Sequence, residues 1–126
     1  MADKVVDASA IAAILFGEPE GPAVKDMMGD ADLLAPALLD FELARVCLKK
    51  LRRHPEQHDA LARSFDLRRR FAIRALTIDH AAVVRLAAET GLSSYDASYL
   101  WLARDLGVGL ITLDRRLAAV FANADP

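Results

Sequence analysis

The chain alternates short apolar runs with longer stretches in which apolar residues recur every three or four positions. "KVVDA" reads as a short buried strand, and an amphipathic helix follows from about Ser9 to Phe16. "GEPEGP" is a turn, Ala23 to Met28 a second short helix, and "LLAP" a brief strand stopped by Pro36. Pro36 suits the start of the next helix, whose apolar positions Leu39, Leu43, Val46 and Leu51 continue until His54-Pro55 ends it. A basic helix is expected from about Glu56 to Arg70, then a strand in "AIRALTI". Asp79 to Thr90 is helical with Gly91 as its stop, and Ser94 to Leu106 is helical and closed by Gly107. "GLIT" is a strand and "RRLAAVFA" the last helix.

Strands alternating with helices imply a parallel sheet covered on both faces and joined by right-handed crossovers. The expectation is one domain over residues 1–126, a three-layer α/β/α sandwich whose parallel sheet has four strands or five. Its 126 residues suffice for one core, and an apolar content of 54% with ample charge excludes disorder. The single cysteine, Cys47, falls on an apolar helical position and reads as a core residue in a reducing cytoplasm. Asp7 and Glu18 interrupt the first apolar stretch, so it does not read as a signal peptide. No run approaches the roughly 18 uninterrupted apolar residues of a membrane span. A small cytoplasmic protein without membrane contact is expected.

The formal net charge of −2 argues by itself against a nucleic-acid binder, but the distribution is uneven. From Arg45 to Arg74 there are ten Lys or Arg against three acids, while the rest of the chain holds six against fifteen. That asymmetry is either a pair of solvated helix faces or a surface for an anionic partner.

Two of the most apolar strands end on an acid, at Asp7 and Asp114. All strands of a parallel sheet point one way, so both acids belong to its carboxyl edge, where ligands bind in such folds. Glu42 lies in the early turns of a helix that starts from the same edge, on a stripe shared with Leu38, Leu39 and Val46. The helix carrying Asp96 leads into "GLIT" and spans roughly the height of the sheet, which returns Asp96 to that edge. Each acid alone has an ordinary explanation: Asp7 and Asp114 as N-caps, Asp96 as the acid of the "SSYD" capping pattern, Glu42 as a partner of Arg45 or another cation. Together they repel, by about 4 kcal/mol for a pair ~4 Å apart at an effective dielectric near 20. An oxygen-only set without histidine or cysteine suits Mg²⁺ or Mn²⁺ rather than Zn²⁺.

"VVDASAI", "LLAPALLDFELARV" and "LSSYDASYLWLARDLGVGLITLDRRLA", in that order, resemble the PIN-domain ribonucleases, most of all the VapC-type toxins of toxin–antitoxin pairs. The resemblance runs nearly end to end and is densest from Leu92 to Ala118. It implies metal-binding acids at Asp7, Glu42, Asp96 and Asp114, with Ser9 and Thr112 as the small hydroxyl residues beside them. It further implies Mg²⁺- or Mn²⁺-dependent endonucleolytic cleavage of RNA, a homodimer, and inhibition by a cognate antitoxin. The chain departs from the family in ending at "ANADP", where relatives commonly add a strand after the last helix.

On this footing Asp7, Asp96 and Asp114 are the main ligands, and Glu42 is a second-site ligand or orients the attacking water. An acidic site repels RNA, so cations must bring the backbone in; Lys49, Lys50, Arg52, Arg53, Arg68, Arg69 and Arg70 are the candidates, and Arg115 or Arg116, directly after Asp114, either holds a phosphate or is plain helix surface. His54 and His58 read as surface residues and His80 as a solvated helix start. Tyr95, Tyr99 and Trp101 read as core or dimer contacts rather than base-stacking platforms. A phosphotransferase that starts on a strand-end aspartate would need a second aspartate where "DAS" has Ser9. A receiver-like domain would need paired acids after the first strand and a lysine after a late one. A catalytically inactive metal- or RNA-binding module with the same acids is the alternative that stays open.

Overall fold

The computed structural model describes residues 2–123. Four parallel strands, β1 (Asp3–Val6), β2 (Asp32–Pro36), β3 (Arg74–Leu76) and β4 (Gly109–Ile111), form one sheet in the order β3-β2-β1-β4. Seven α-helices connect and follow them: α1 (Ala8–Leu15), α2 (Gly21–Met28), α3 (Leu38–Arg53), α4 (His58–Asp66), α5 (His80–Thr90), α6 (Ser94–Leu106) and α7 (Arg115–Ala122). The α/β architecture expected from the sequence is the one observed.

The path β1→β2→β3 steps in one direction across the sheet, and the connection from β3 to β4 returns past both central strands. With right-handed crossovers, α1 to α4 therefore cover one face and α5 and α6 the other. The packing agrees: α1 lies against α2 and α3, whereas α6 packs on α5 and along β1, β2 and β4. Central β1 is closed in on both sides, with Val5 and Val6 fully buried and Leu34 and Leu110 opposite Val5 on its neighbours. Ile11, Leu43, Leu100 and Leu117 fill the layers above and below. Cys47 is buried, as its helical position suggested.

Three local expectations change. The basic helix over Glu56 to Arg70 is instead a 3-10 turn (Pro55–Gln57), the nine-residue α4 and a second 3-10 turn (Leu67–Phe71). Ala72, at φ +50°, ends the second turn in the left-handed region. That same residue delays the following strand, so "AIRALTI" contributes only Arg74–Leu76, paired with the end of β2. No fifth strand joins the sheet among the described residues; Ala124, Asp125 and Pro126 of the "ANADP" ending lie outside them. No helix of the described residues is long and apolar enough to cross a membrane.

Candidate active site

The carboxyl edge is where β1 and β4 pass into α1 and α7, so the residue at each junction is at once a strand end and a helix cap. Asp7 caps α1 by accepting from the Ala10 amide through Oδ1, and Asp114 caps α7 by accepting from the Leu117 amide. Ser93 caps α6 and accepts from the amide of Asp96, three residues on. The ordinary capping roles are thus present, and for Asp7 and Asp114 they are what brings the acids together. Helices that start where parallel strands stop must put their caps on one edge.

Asp7 is the most enclosed of the four and is buried. Two hydroxyls hold it. Ser9 Oγ donates to its Oδ1 at 2.7 Å, and Thr112 Oγ1 donates to its Oδ2. Each hydroxyl in turn accepts from a backbone amide of the β4–α7 junction, Ser9 from Leu113 at 2.9 Å and Thr112 from Asp114 at 3.0 Å. Two parallel relays, amide to hydroxyl to carboxylate, tie the end of β4 to the end of β1. With the Ala10 amide they use three of the roughly four lone-pair directions on Asp7 and leave one for another ligand.

Glu42 is half-buried on α3, and its Oε1 accepts from the Tyr99 hydroxyl at 2.6 Å. Tyr99 belongs to α6, on the other layer, so this bond closes the two layers over the sheet edge. Asp96 sits one turn before Tyr99 on the same helix face. Burial pushes the carboxyls of Asp7, Glu42 and Asp96 above their ordinary range, and the acids reinforce one another: Asp96 acts on Asp7, Asp7 and Asp96 on Glu42, and Asp114 on Asp96. The hydroxyl and amide donors oppose this, as do Arg45 beside Glu42 and Arg116 beside Asp96. Burial, then the bond and charge of Glu42, drive the Tyr99 phenol far above its usual value, so it stays a neutral donor.

The four acids therefore share one electrostatic environment. They do not form a closed ligand shell: among the described residues no three acidic, histidine or cysteine side chains are gathered as a metal cluster. The donor set itself suits a hard divalent cation, being all oxygen, partly desolvated and mutually repulsive in the absence of one.

Other expected residues fall in less central places. Lys49, Lys50, Arg52 and Arg53 lie near the far end of α3, about 10 Å or more along the helix from Glu42. Lys50 is engaged there with Glu18 at 3.7 Å and lies over the Phe16 ring. The chain then doubles back, and Arg68 reaches Asp40 in the first turn of α3 at 3.5 Å, while Arg69 and Arg70 beside it are exposed. Arg115 is exposed on α7, and it is its neighbour Arg116 that faces Asp96, packed over Gly91. Gly91 has φ +76°, and a Cβ there would lie 2.7 Å from the guanidinium, so a glycine suits both the turn and the contact. His54, His58 and His80 are exposed, as expected.

The three aromatics separate. Tyr99 is core, Trp101 is half-buried against the core, and Tyr95 is exposed. Tyr95 borders an open, mostly apolar cleft of about 700 Å³ with Leu76, Ile78, His80, Val84 and Ser98. This cleft contains none of the four acids; a smaller one beside it, about 300 Å³, includes Glu42, Arg45 and exposed Phe41. What sequence reasoning missed was the partner of Tyr99. A signal existed: a tyrosine on a buried helical stripe requires a hydrogen-bond partner for its hydroxyl, and the unpaired acid on the core-facing side of α3 required a donor.

A model of the PIN domain matches residues 4–122. Ribonuclease VapC3 of Pyrobaculum aerophilum is 34% identical over 123 residues, which cover 93% of this chain and 93% of that protein. Ribonuclease VapC9 of Mycobacterium tuberculosis is 34% identical over 119 residues, covering 90% and 87% respectively. Among solved structures, the crystal structure of PAE2754 from Pyrobaculum aerophilum superposes with a TM-score of 0.76 at 29% identity, over 94% of this chain and 84% of that one.

Proposed function

The chain belongs to the PIN-domain family, alongside the VapC ribonucleases, and from that premise we infer that it is a metal-dependent endoribonuclease acting as the toxin of a toxin–antitoxin pair. The observation that carries the catalytic part is the placement of Asp7 and Asp114 at the ends of two adjacent parallel strands, with Asp96 in the first turn of α6 and Glu42 bonded to Tyr99 of that helix.

Asp7, Asp96 and Asp114 would hold Mg²⁺ or Mn²⁺, directly or through water, with Glu42 as a further ligand or as the group that orients the attacking water. When bound, the cation supplies Lewis-acid stabilisation of the charge that develops at phosphorus and makes water more acidic. Asp7 is the fixed point, since two hydroxyls and an amide hold it. Asp114 is fixed by its cap and Asp96 by the first turn of α6. Water attacks phosphorus in line, losing a proton to Glu42 or to solvent, and the P–O bond to the leaving ribose oxygen breaks as that oxygen takes a proton from solvent; Glu42 would orient the attacking water. Arg116, facing Asp96, and exposed Arg69 and Arg70 are the cations best disposed to receive the RNA backbone.

The partners in this reading are RNA, a cognate antitoxin and a second copy of the chain. Exposed Val84 and Tyr95 at the apolar cleft, with exposed Phe41 in the smaller hollow beside it, support the homodimer. Light scattering on antitoxin-free protein should then give twice the chain mass, and titration with the antitoxin should abolish cleavage stoichiometrically.

The deciding experiment compares wild type with Asp96→Asn on a panel of structured RNAs, one of them a closed circle, in Mn²⁺, Mg²⁺ or EDTA. Cleavage of the circle that requires metal and vanishes in Asp96→Asn is expected; a circle has no end, so only an endonuclease opens it. If neither protein cleaves any RNA while Mn²⁺ raises the melting temperature of the wild type alone, the inactive metal-binding module is favoured instead. Full cleavage by Asp96→Asn would overturn the assignment.

A further inference from the structure

Resting on the nuclease reading of this site, we infer that Tyr99 is a positioning residue for Glu42, its buried hydroxyl fixing Oε1 of that carboxylate over the sheet edge. The residue is 1% exposed, so its phenol has been withdrawn from water, and the bond it makes is to a side chain 57 positions away on the opposite layer. A fold built only for stability has a simpler solution here, because replacing both partners of a buried polar pair by apolar groups is nearly neutral or stabilising.

The choice of donor also matters. A lysine or arginine at this place would cancel one of the gathered charges and compete with a cation for them. A tyrosine satisfies one oxygen of Glu42 and leaves the charge of the cluster unchanged. It engages Oε1 alone, so Oε2 remains for a cation or a water. Because Asp96 and Tyr99 are one turn apart on a rigid helix, the same element that brings in Asp96 sets the position of Glu42. The distance between two of the acids is thus defined by one helix and one hydrogen bond.

The test uses Tyr99→Phe, Glu42→Gln and the double variant, with Asp96→Asn alongside. Free Mn²⁺ is counted by electron paramagnetic resonance, and RNA cleavage is followed at saturating and subsaturating substrate. Tyr99→Phe should keep its fold and its KM for RNA while losing about 10–100-fold in Mn²⁺ affinity or kcat, the usual cost of removing a support behind a ligand. The double variant should be no worse than Glu42→Gln, because Tyr99 acts through Glu42. Multiplying losses in the double variant would overturn the inference. So would wild-type affinity and kcat in Tyr99→Phe while Asp96→Asn has lost both. If Asp96→Asn itself binds Mn²⁺ and cleaves normally, the nuclease site falls and the positioning role with it. Should Tyr99→Phe fail to fold, Glu42→Asp draws the carboxylate back from an intact Tyr99. It should show the same losses, and wild-type behaviour there would overturn the role equally.

Discussion

The acidic edge and the basic segment carry opposite charge, and the fold treats them differently. Asp7, Glu42 and Asp96 are partly or wholly withdrawn from water and raised by neighbouring acids, and Asp7 and Glu42 are held by hydroxyl donors from distant parts of the chain. Most of the cations between Arg45 and Arg74 are exposed, Arg52 and Arg53 suit the negative end of α3, and Lys50 there makes one partly exposed ion pair with Glu18. Concentrated charge that costs folding free energy points to chemistry. Charge that rests in water at little cost can serve binding or nothing. The two regions therefore support functional claims of unequal strength, and variants can test that inequality.

The largest effect is expected at Asp7. Asparagine caps a helix as well as aspartate does, and it can still accept from the Ala10 amide and Ser9, so Asp7→Asn should fold. Cleavage should fall on the order of 10²–10³-fold, the loss typical when a charge-stabilising group leaves an active site. Lys50→Ala, at the other end of α3, should change kcat/KM by no more than about twofold at physiological salt, where a Debye length is ~8 Å. Comparable losses in the two variants would erase the distinction between the regions.

How much of this was legible in the sequence follows from the range of the interactions involved. The strands, the helix ends at Gly91 and Gly107, and the gathering of the acids follow from local pattern plus one topological rule, that parallel strands share a carboxyl edge. The end of the second 3-10 turn depends on backbone geometry at Ala72, for which alanine carries no signal. The Tyr99–Glu42 bond and the relays through Ser9 and Thr112 join residues 57 to 105 positions apart, and no periodicity encodes such pairings. Arg115 and Arg116 are adjacent in sequence, and only the rotation of α7 decides that Arg116 faces Asp96.

Next in size is the RNA-binding contrast within the basic segment. Reversing Arg69 and Arg70 should weaken RNA binding and make its salt dependence shallower by a log–log slope of about 1.4, from ~0.7 per lost phosphate contact. Reversing Arg52 and Arg53, near the far end of α3, should leave the slope unchanged. Equal slopes for the two double variants would mean that RNA runs the length of α3 rather than staying near the acids.

A smaller effect separates the regions by pH. Burial and mutual repulsion hold Asp7, Glu42 and Asp96 above their ordinary values, so the folded chain keeps protons that the unfolded chain has already released. Their contribution to stability is therefore greatest below the ordinary carboxylate range and is lost as pH rises through the raised values. In EDTA, the wild type minus Asp7→Asn difference in melting temperature should grow less favourable to the wild type between about pH 4 and neutrality. Mn²⁺ at neutral pH should restore it. A difference independent of pH would mean that the acids are solvated in solution and that their convergence costs nothing.

The smallest effect tests the anchor of the basic segment. Arg68 is its most engaged cation, 3.5 Å from Asp40 and stacked 4.1 Å from the centre of the Phe65 ring. Asp40 is largely exposed, so Asp40→Asn should cost less than about 1 kcal/mol. Arg68→Ala should cost more, since it also removes the stem that covers Phe65. Thermal unfolding of the two variants orders the contributions. If Asp40→Asn leaves stability almost unchanged yet weakens RNA binding as much as reversing Arg69 and Arg70, the ion pair serves to aim the neighbouring arginines. In that case the basic segment, like the acidic edge, owes its function to one contact between residues far apart in the chain.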